Sequence, residues 1–162
     1  MLKDLLITRK SSIVDNWIQL IVETYPPQTS NFLKSQKDRF SNPVGYTISA
    51  NTEKIFEEII NVRDIERIKT YLTDIIKIRA VQDFSPSQAI GFIFSLKKVI
   101  YKELEEEVIN KKILKELENI ESYINEIALI AFDIYMEARE KLFKVRVNEI
   151  KSQIAYSKGI TE

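Results

Sequence analysis

Cysteine and histidine are both missing from this chain of 162 residues. Without cysteine there can be no disulfides, thiolate zinc sites, iron–sulfur clusters or thiol redox motifs. Without histidine the commonest general base, proton shuttle, transition-metal ligand and proximal haem ligand disappear together. Carboxylates, lysine and tyrosine can still catalyse, but the expectation of catalysis falls, and neither a cofactor nor a metal is expected. An excess of either charge is also absent: 24 Lys and Arg balance 24 Asp and Glu, so no overall field draws the molecule to nucleic acid or an anionic membrane. Long hydrophobic runs are lacking too. Leu5, Leu6 and Ile7 are too few for the core of a signal peptide. The oiliest stretch, 127–136, is far short of the roughly 20 residues that span a bilayer. The expectation is a soluble cytoplasmic protein without a nucleic-acid partner and without membrane insertion.

What is present is helical pattern over most of the chain. The 44% hydrophobic content suffices for the core of one domain, expected over 1–158 with a short tail at 159–162. Leu2, Leu5, Leu6, Ile13, Trp17, Leu20 and Ile21 recur at helical spacing as far as Tyr25, where Pro26 and Pro27 stop the element. Asn42 followed by Pro43 reads as an N-cap and first helical residue, with Gly45 in the first turn. The stripe Val44, Ile48, Ile55, Phe56 and Ile59 then lies on one face of a helix to about Asn61. A ligand-gripping loop at "RFSNPVG" is the sharper reading, but a capped helix entry accounts for most of it.

Asp64 caps the next predicted helix, whose stripe of Ile65, Ile68, Leu72, Ile75 and Ile76 continues into Arg79. A charge is therefore aimed at the core. Either its stem snorkels along the core with the guanidinium in water, or it is buried against a fixed partner, for which Asp133 is the candidate.

The densest signature, IRAVQDFSPSQAIGF at 78–92, looks like a catalytic loop and parses as a helix start. With Ser85 at the N-cap, Pro86 takes the first helical position and Gln88 the third, which is the Ser-x-x-Gln capping box. Neither serine has a histidine to activate it. Gln82, Asp83 and Gly91 are left over. Glycine inside a helix costs about 1 kcal/mol relative to alanine, so close packing by a neighbouring helix is expected at Gly91. The helix is expected to run on through Ile93, Leu96 and Leu104 to about Asn110, with the acidic run 103–107 as a solvated face and not a metal site.

From Ile113 the apolar residues step by four and three: Ile113, Leu117, Ile120, Ile124, Ile127, Ala131, Ile134 and Ala138. That heptad pattern predicts a long C-terminal helix that is either central to the fold or a homodimer contact. Between 127 and 136 nearly every side is apolar, so this segment should be buried all round, with Asp133 paired inside it. Beyond it the helix turns highly charged and should protrude. Phe143, Val147, Ile150 and Ile154 are its candidate partner surface.

The blocks "YPP", "RFSNPVGYTI", "IIKIRAVQDFSPSQAIGFIFSLKKVI" and "IALIAFDIYMEAREKLFKVRVNEIK", in that order from about Trp17 to Lys151, resemble the N-terminal domain of stressosome-type RsbT co-antagonist proteins of the RsbRD group. The resemblance implies an all-α, globin-like, non-haem bundle that acts as a sensory input module in stress-response signal transduction. Members often continue into an output domain; this chain, ending at Glu162, is expected to be freestanding.

Two functions are then set against each other. In the first, a non-catalytic homodimeric sensor uses a small-molecule ligand or a protein partner to bias the long helix, with Arg79, Gln82, Asp83, Ser85, Gln88 and Asp133 forming a polar network or ligand site. In the second, Arg79, Gln82, Asp83 and Asp133 process a small molecule. The network should satisfy itself in the first case and converge on an open cavity in the second.

Overall fold

The computed structural model describes residues 1–35 and 38–159, and among them every regular element is a helix. In chain order these are α1 (Leu2–Thr8), α2 (Lys10–Val22), α3 (Pro27–Ser35), α4 (Pro43–Ile60), α5 (Ile65–Val81), α6 (Pro86–Ile90), α7 (Phe92–Glu103) and α8 (Lys111–Gly159). The expected tail lies, beyond Gly159, outside the described residues.

Three helix starts are written in side chains. Asn42 accepts the Gly45 amide, Asp64 accepts those of Glu66 and Arg67, and Ser85 and Gln88 form both halves of the capping box. Each such cap satisfies amides that the first helical turn leaves without a partner.

The stripes on these helices meet in one hydrophobic cluster. α5 packs on α8 on one side and α4 on the other, and α2 lies between α4 and α7. Ile48, Phe56, Leu72, Leu96 and Ile127 are among its fully buried members. Each such side chain contributes about 1.5–3 kcal/mol of burial. Trp17 is buried with them, its indole N–H donating to the Phe92 carbonyl at 2.7 Å and its ring stacked on Phe92 with centroids 6.3 Å apart. The architecture is an all-α, globin-like bundle with a long C-terminal helix.

Four expectations are corrected. The first helix is divided at Arg9, whose backbone (φ −99°, ψ 10°) separates α1 from α2. Pro26 and Pro27 not only end an element but begin one, since Pro27 is the first residue of α3; proline suits that position because its missing amide proton would have no acceptor there. The helix from Pro86 does not run to Asn110. It is interrupted at Gly91, and its second part stops at Glu103. A Cβ on Gly91 would sit 2.7 Å from the carbonyl oxygen of Ser87, so the glycine answers to its own chain and not to a neighbouring helix.

The fourth correction concerns 127–136, which is not buried all round. Ile127, Ala128, Ala131 and Tyr135 face the core, whereas Leu129 is 71% exposed and Phe132 and Met136 are each 42% exposed. At 100° per residue these three form a second stripe, roughly a third of a turn from the buried one. α7 runs antiparallel alongside: Lys97 donates to Asn125, and Tyr101 faces Glu121. That register sets Phe94, itself exposed, level with Leu129.

Candidate functional site

Arg79 is fully buried in the last turn of α5, and its partners are not carboxylates. Its Nε donates to the Ala89 carbonyl at 3.1 Å, Nη2 to the Gln88 carbonyl at 2.8 Å and Nη1 to Thr24 Oγ1 at 3.1 Å. Gln88 and Ala89 lie at the end of α6, where helical carbonyls lack intrahelical amides. The interruption at Gly91 therefore creates the acceptors that the arginine fork fills. Around the cation stand the rings of Phe84, Tyr25 and Phe92, at 4.2, 5.5 and 5.7 Å from its guanidinium carbon to the ring centroids. Ring faces carry negative potential, worth about 2 kcal/mol to a desolvated cation. Burial pulls the guanidinium below the ordinary arginine range, and the Tyr25 hydroxyl works in the opposite sense.

Beside this cage the chain turns a corner from α5 to α6. Tyr25 donates to Gln82 Oε1 at 2.8 Å, and its ring meets Phe84 edge-on at 5.2 Å. Burial raises the Tyr25 phenol above its ordinary range, against the pull of Arg79. Asp83 adopts a positive φ of 59°, which a non-glycine residue holds only where its surroundings enforce it. The enforcement comes from α8: the Tyr135 hydroxyl donates to the Phe84 carbonyl, and Arg139 Nη1 donates to the Ala80 carbonyl at 3.0 Å while facing Asp83 Oδ1 at 3.4 Å. The Asp83 carboxylate is exposed, so that ion pair is weak; the bond to the buried Ala80 backbone is the stronger tie.

The structure thus brings together Arg79, Gln82, Asp83, Ser85 and Gln88, with Ser85 and Gln88 acting mainly as the cap of α6. Asp133 does not join them. It is exposed, because on α8 it falls between the core residues Ala131 and Tyr135 in sequence yet on the opposite side of the helix. The proposed Arg79–Asp133 pair is therefore replaced by an arginine held by helix-end carbonyls and by a different contact from α8. Thr24, Tyr25, Tyr135 and Arg139 were missed from the sequence. Tyr25 had a signal in its place directly before two prolines, where a helix end needs a partner; Arg139, one turn after the core-facing Tyr135, had a weaker one.

Asn42, Pro43 and Gly45 form a second motif, and it is structural. Asn42 is buried, with Oδ1 accepting the Gly45 amide at 2.8 Å and Nδ2 donating to the Leu33 carbonyl at 3.1 Å. One side chain thereby closes the end of α3 and opens α4.

An open groove of about 1030 Å³ runs between α2 and the α3–α4 pair, with Val14, Ile18, Val22 and Leu33 in its wall. At its rim Lys10 binds Glu53 at 2.8 Å and also Glu57, and those hydrogen bonds raise the lysine above its ordinary range. Gly45 borders this groove, whereas none of Arg79, Gln82, Asp83 or Asp133 does. The four groups of the enzymatic reading thus do not converge on it. Among the described residues no cluster of three or more acidic side chains is disposed to hold a metal ion, and no helix is long and apolar enough to cross a membrane.

A family profile described as the RsbT co-antagonist protein rsbRD N-terminal domain matches residues 11–150. The chain belongs to this family. The match covers nearly all of α2, the whole of α3 to α7, and α8 as far as Ile150. Both the Arg79 cage and the grip of α8 on the corner therefore lie within the RsbRD N-terminal domain. No curated protein and no solved structure matches the chain.

Proposed function

We propose that this RsbRD N-terminal domain is a non-catalytic sensory input module of the stressosome type, in which ligand or partner contacts bias the direction of α8. Membership of the family supports a signalling role with a protein partner. The observation that carries the reading is that Tyr135 and Arg139, one turn apart on α8, both bind the corner formed by Ala80, Asp83 and Phe84. The corner is fastened in turn to the Arg79 cage. Whatever moves α2, α5 or α6 must act on α8 just where its sequence leaves the body.

Spin labels test this cleanly, because the chain has no cysteine and labels can be attached at Thr70→Cys and Ser152→Cys alone. Replacing Arg79 by lysine should shift or broaden the distance distribution between the two labels. Superimposable distributions would mean that the corner does not govern the helix.

The module is further proposed to work as a homodimer through Phe94, Leu129, Phe132 and Met136, an exposed apolar patch shared by α7 and α8. Native mass spectrometry of the unaltered chain should give a dimer and Leu129→Glu/Phe132→Glu a monomer. An unaltered chain that is monomeric at micromolar concentration removes this part of the proposal.

A further inference from the structure

The exposed stripe of α8 continues beyond the body as Phe143, Val147, Ile150 and Ile154, spaced by four, three and four residues. This is coiled-coil seam spacing. From 143 to 159 only Val147 is as much as half-buried, so nothing among the described residues covers the seam. With Phe143 at a d position, Val147 and Ile154 fall at a and Ile150 at d. The flanks then follow: Lys144 and Lys151 occupy e, and Arg139 and Arg146 occupy g.

A second copy of the chain fits this seam poorly. Parallel pairing sets Arg146 of one copy against Lys151 of the other. Antiparallel pairing sets e against e, again cation against cation at Lys144 and Lys151, and g against g, where Arg146 meets Gln153. In the parallel arrangement Glu140, at the a position one heptad before Val147, would also meet its own counterpart on the axis. Like charges brought together at a desolvated seam select against that partner. Phe143, Val147, Ile150 and Ile154 together span an arc of about 60° at 100° per residue, the width of a seam between helices; the exposed Val145 and Tyr156 stand apart from it on the other side, whereas a helix lying in a bilayer surface presents one continuous broad face.

We infer that residues 140–159 of α8 dock an acidic amphipathic helix from a different protein. Its apolar a and d side chains would meet Phe143, Val147, Ile150 and Ile154, and Glu or Asp at its e and g positions would meet Lys144, Arg146 and Lys151. The inference rests on reading α8 as the output of the module and supplies the chemistry of what that output engages.

The test is a titration of the full chain against two fluorescent three-heptad peptides with Ile at a and Leu at d, one with Glu and the other with Lys at e and g. The acidic peptide should bind at least about tenfold more tightly, and its advantage should shrink as salt is raised. Lys144→Glu/Lys151→Glu should reverse the preference, and Phe143→Ser/Ile150→Ser should abolish binding of both peptides. Equal binding of the two peptides overturns the inference. So does sedimentation of the chain with phosphatidylserine vesicles that Phe143→Ser/Ile150→Ser prevents, which would make the seam a membrane contact. A chain that dimerises only while Phe143 and Ile150 are intact would instead make the second copy the occupant. If the peptides fail while the spin-label distances still respond to Arg79→Lys, the partner chemistry falls and the sensory reading stands.

Discussion

The guanidinium carbon of Arg79 lies 4.2 Å from the centroid of the Phe84 ring, and three of its nitrogen–hydrogen groups end on Thr24, Gln88 and Ala89. A buried cation is thus stabilised by ring faces and carbonyl dipoles, with no carboxylate among these contacts. Lysine carries the charge but not the planar fork. Arg79→Lys should therefore lower the unfolding free energy by about 2 kcal/mol, and Arg79→Met, which leaves the buried Ala89 carbonyl without its donor and takes that of Gln88 as well, by about 3 kcal/mol. Urea denaturation measures both. Asp133→Ala should leave the midpoint where it was, and a large loss there would restore the discarded pairing.

Asn42 and Gly45 should be coupled. Removing the cap by Asn42→Ala should cost about 1–2 kcal/mol. A Cβ on Gly45 would lie 2.2–2.8 Å from three atoms of the Asn42 side chain, so Gly45→Ala should also destabilise. In the Asn42→Ala background the clash is gone and alanine is the better helix former. The cost of Gly45→Ala should there vanish or change sign, a coupling that a double-mutant cycle reads directly. Additive losses would contradict the geometry.

Gly91→Ala offers a contrasting case. The carbonyl of Ser87, 2.7 Å from the added carbon, is backbone and cannot swing aside. The substitution should lower the melting temperature even though alanine is ordinarily preferred in a helix. A rise would mean that α6 and α7 can merge into one helix.

Alkaline pH should unfold the molecule through its phenols. Burial raises both Tyr25 and Tyr123 above the usual value of about 10. The folded state therefore holds protons that the unfolded state releases. Stability from this source is complete below pH of about 10 and is lost as pH climbs through the folded-state values. Ultraviolet titration should show phenolate absorbance appearing late and together with unfolding. Tyr25→Phe should flatten the alkaline decline while losing the hydrogen bond to Gln82.

The caps at Asn42, Asp64 and Ser85 were legible because a cap is local: the residue, its proline or its capping-box partner all lie within four positions. The buried stripe of α8 was legible for the same reason. Arg79 was recognised as a charge directed inward, since the stripe of α5 runs into it. Its partners were not, because two are main-chain carbonyls, which have no side-chain signature, and the others, the Thr24 hydroxyl and the Tyr25 ring, lie more than fifty positions away in sequence. Asp133 misled because 127–136 is apolar on two faces. Composition alone does not separate a face that meets the core from one that stays exposed; the two-position offsets among Ala131, Asp133 and Tyr135 do.

α8 is 49 residues long, and the last contact described from it to the corner is made by Arg139. The 20 residues beyond extend about 30 Å at 1.5 Å per residue. Under the proposed bias of α8, a pivot at Tyr135 and Arg139 would turn a tilt of about 10° at the corner into a sweep of about 5 Å at Gly159. On that proposal, rearrangements too small to open the core would be read at the tip as a change in position comparable to one turn of helix.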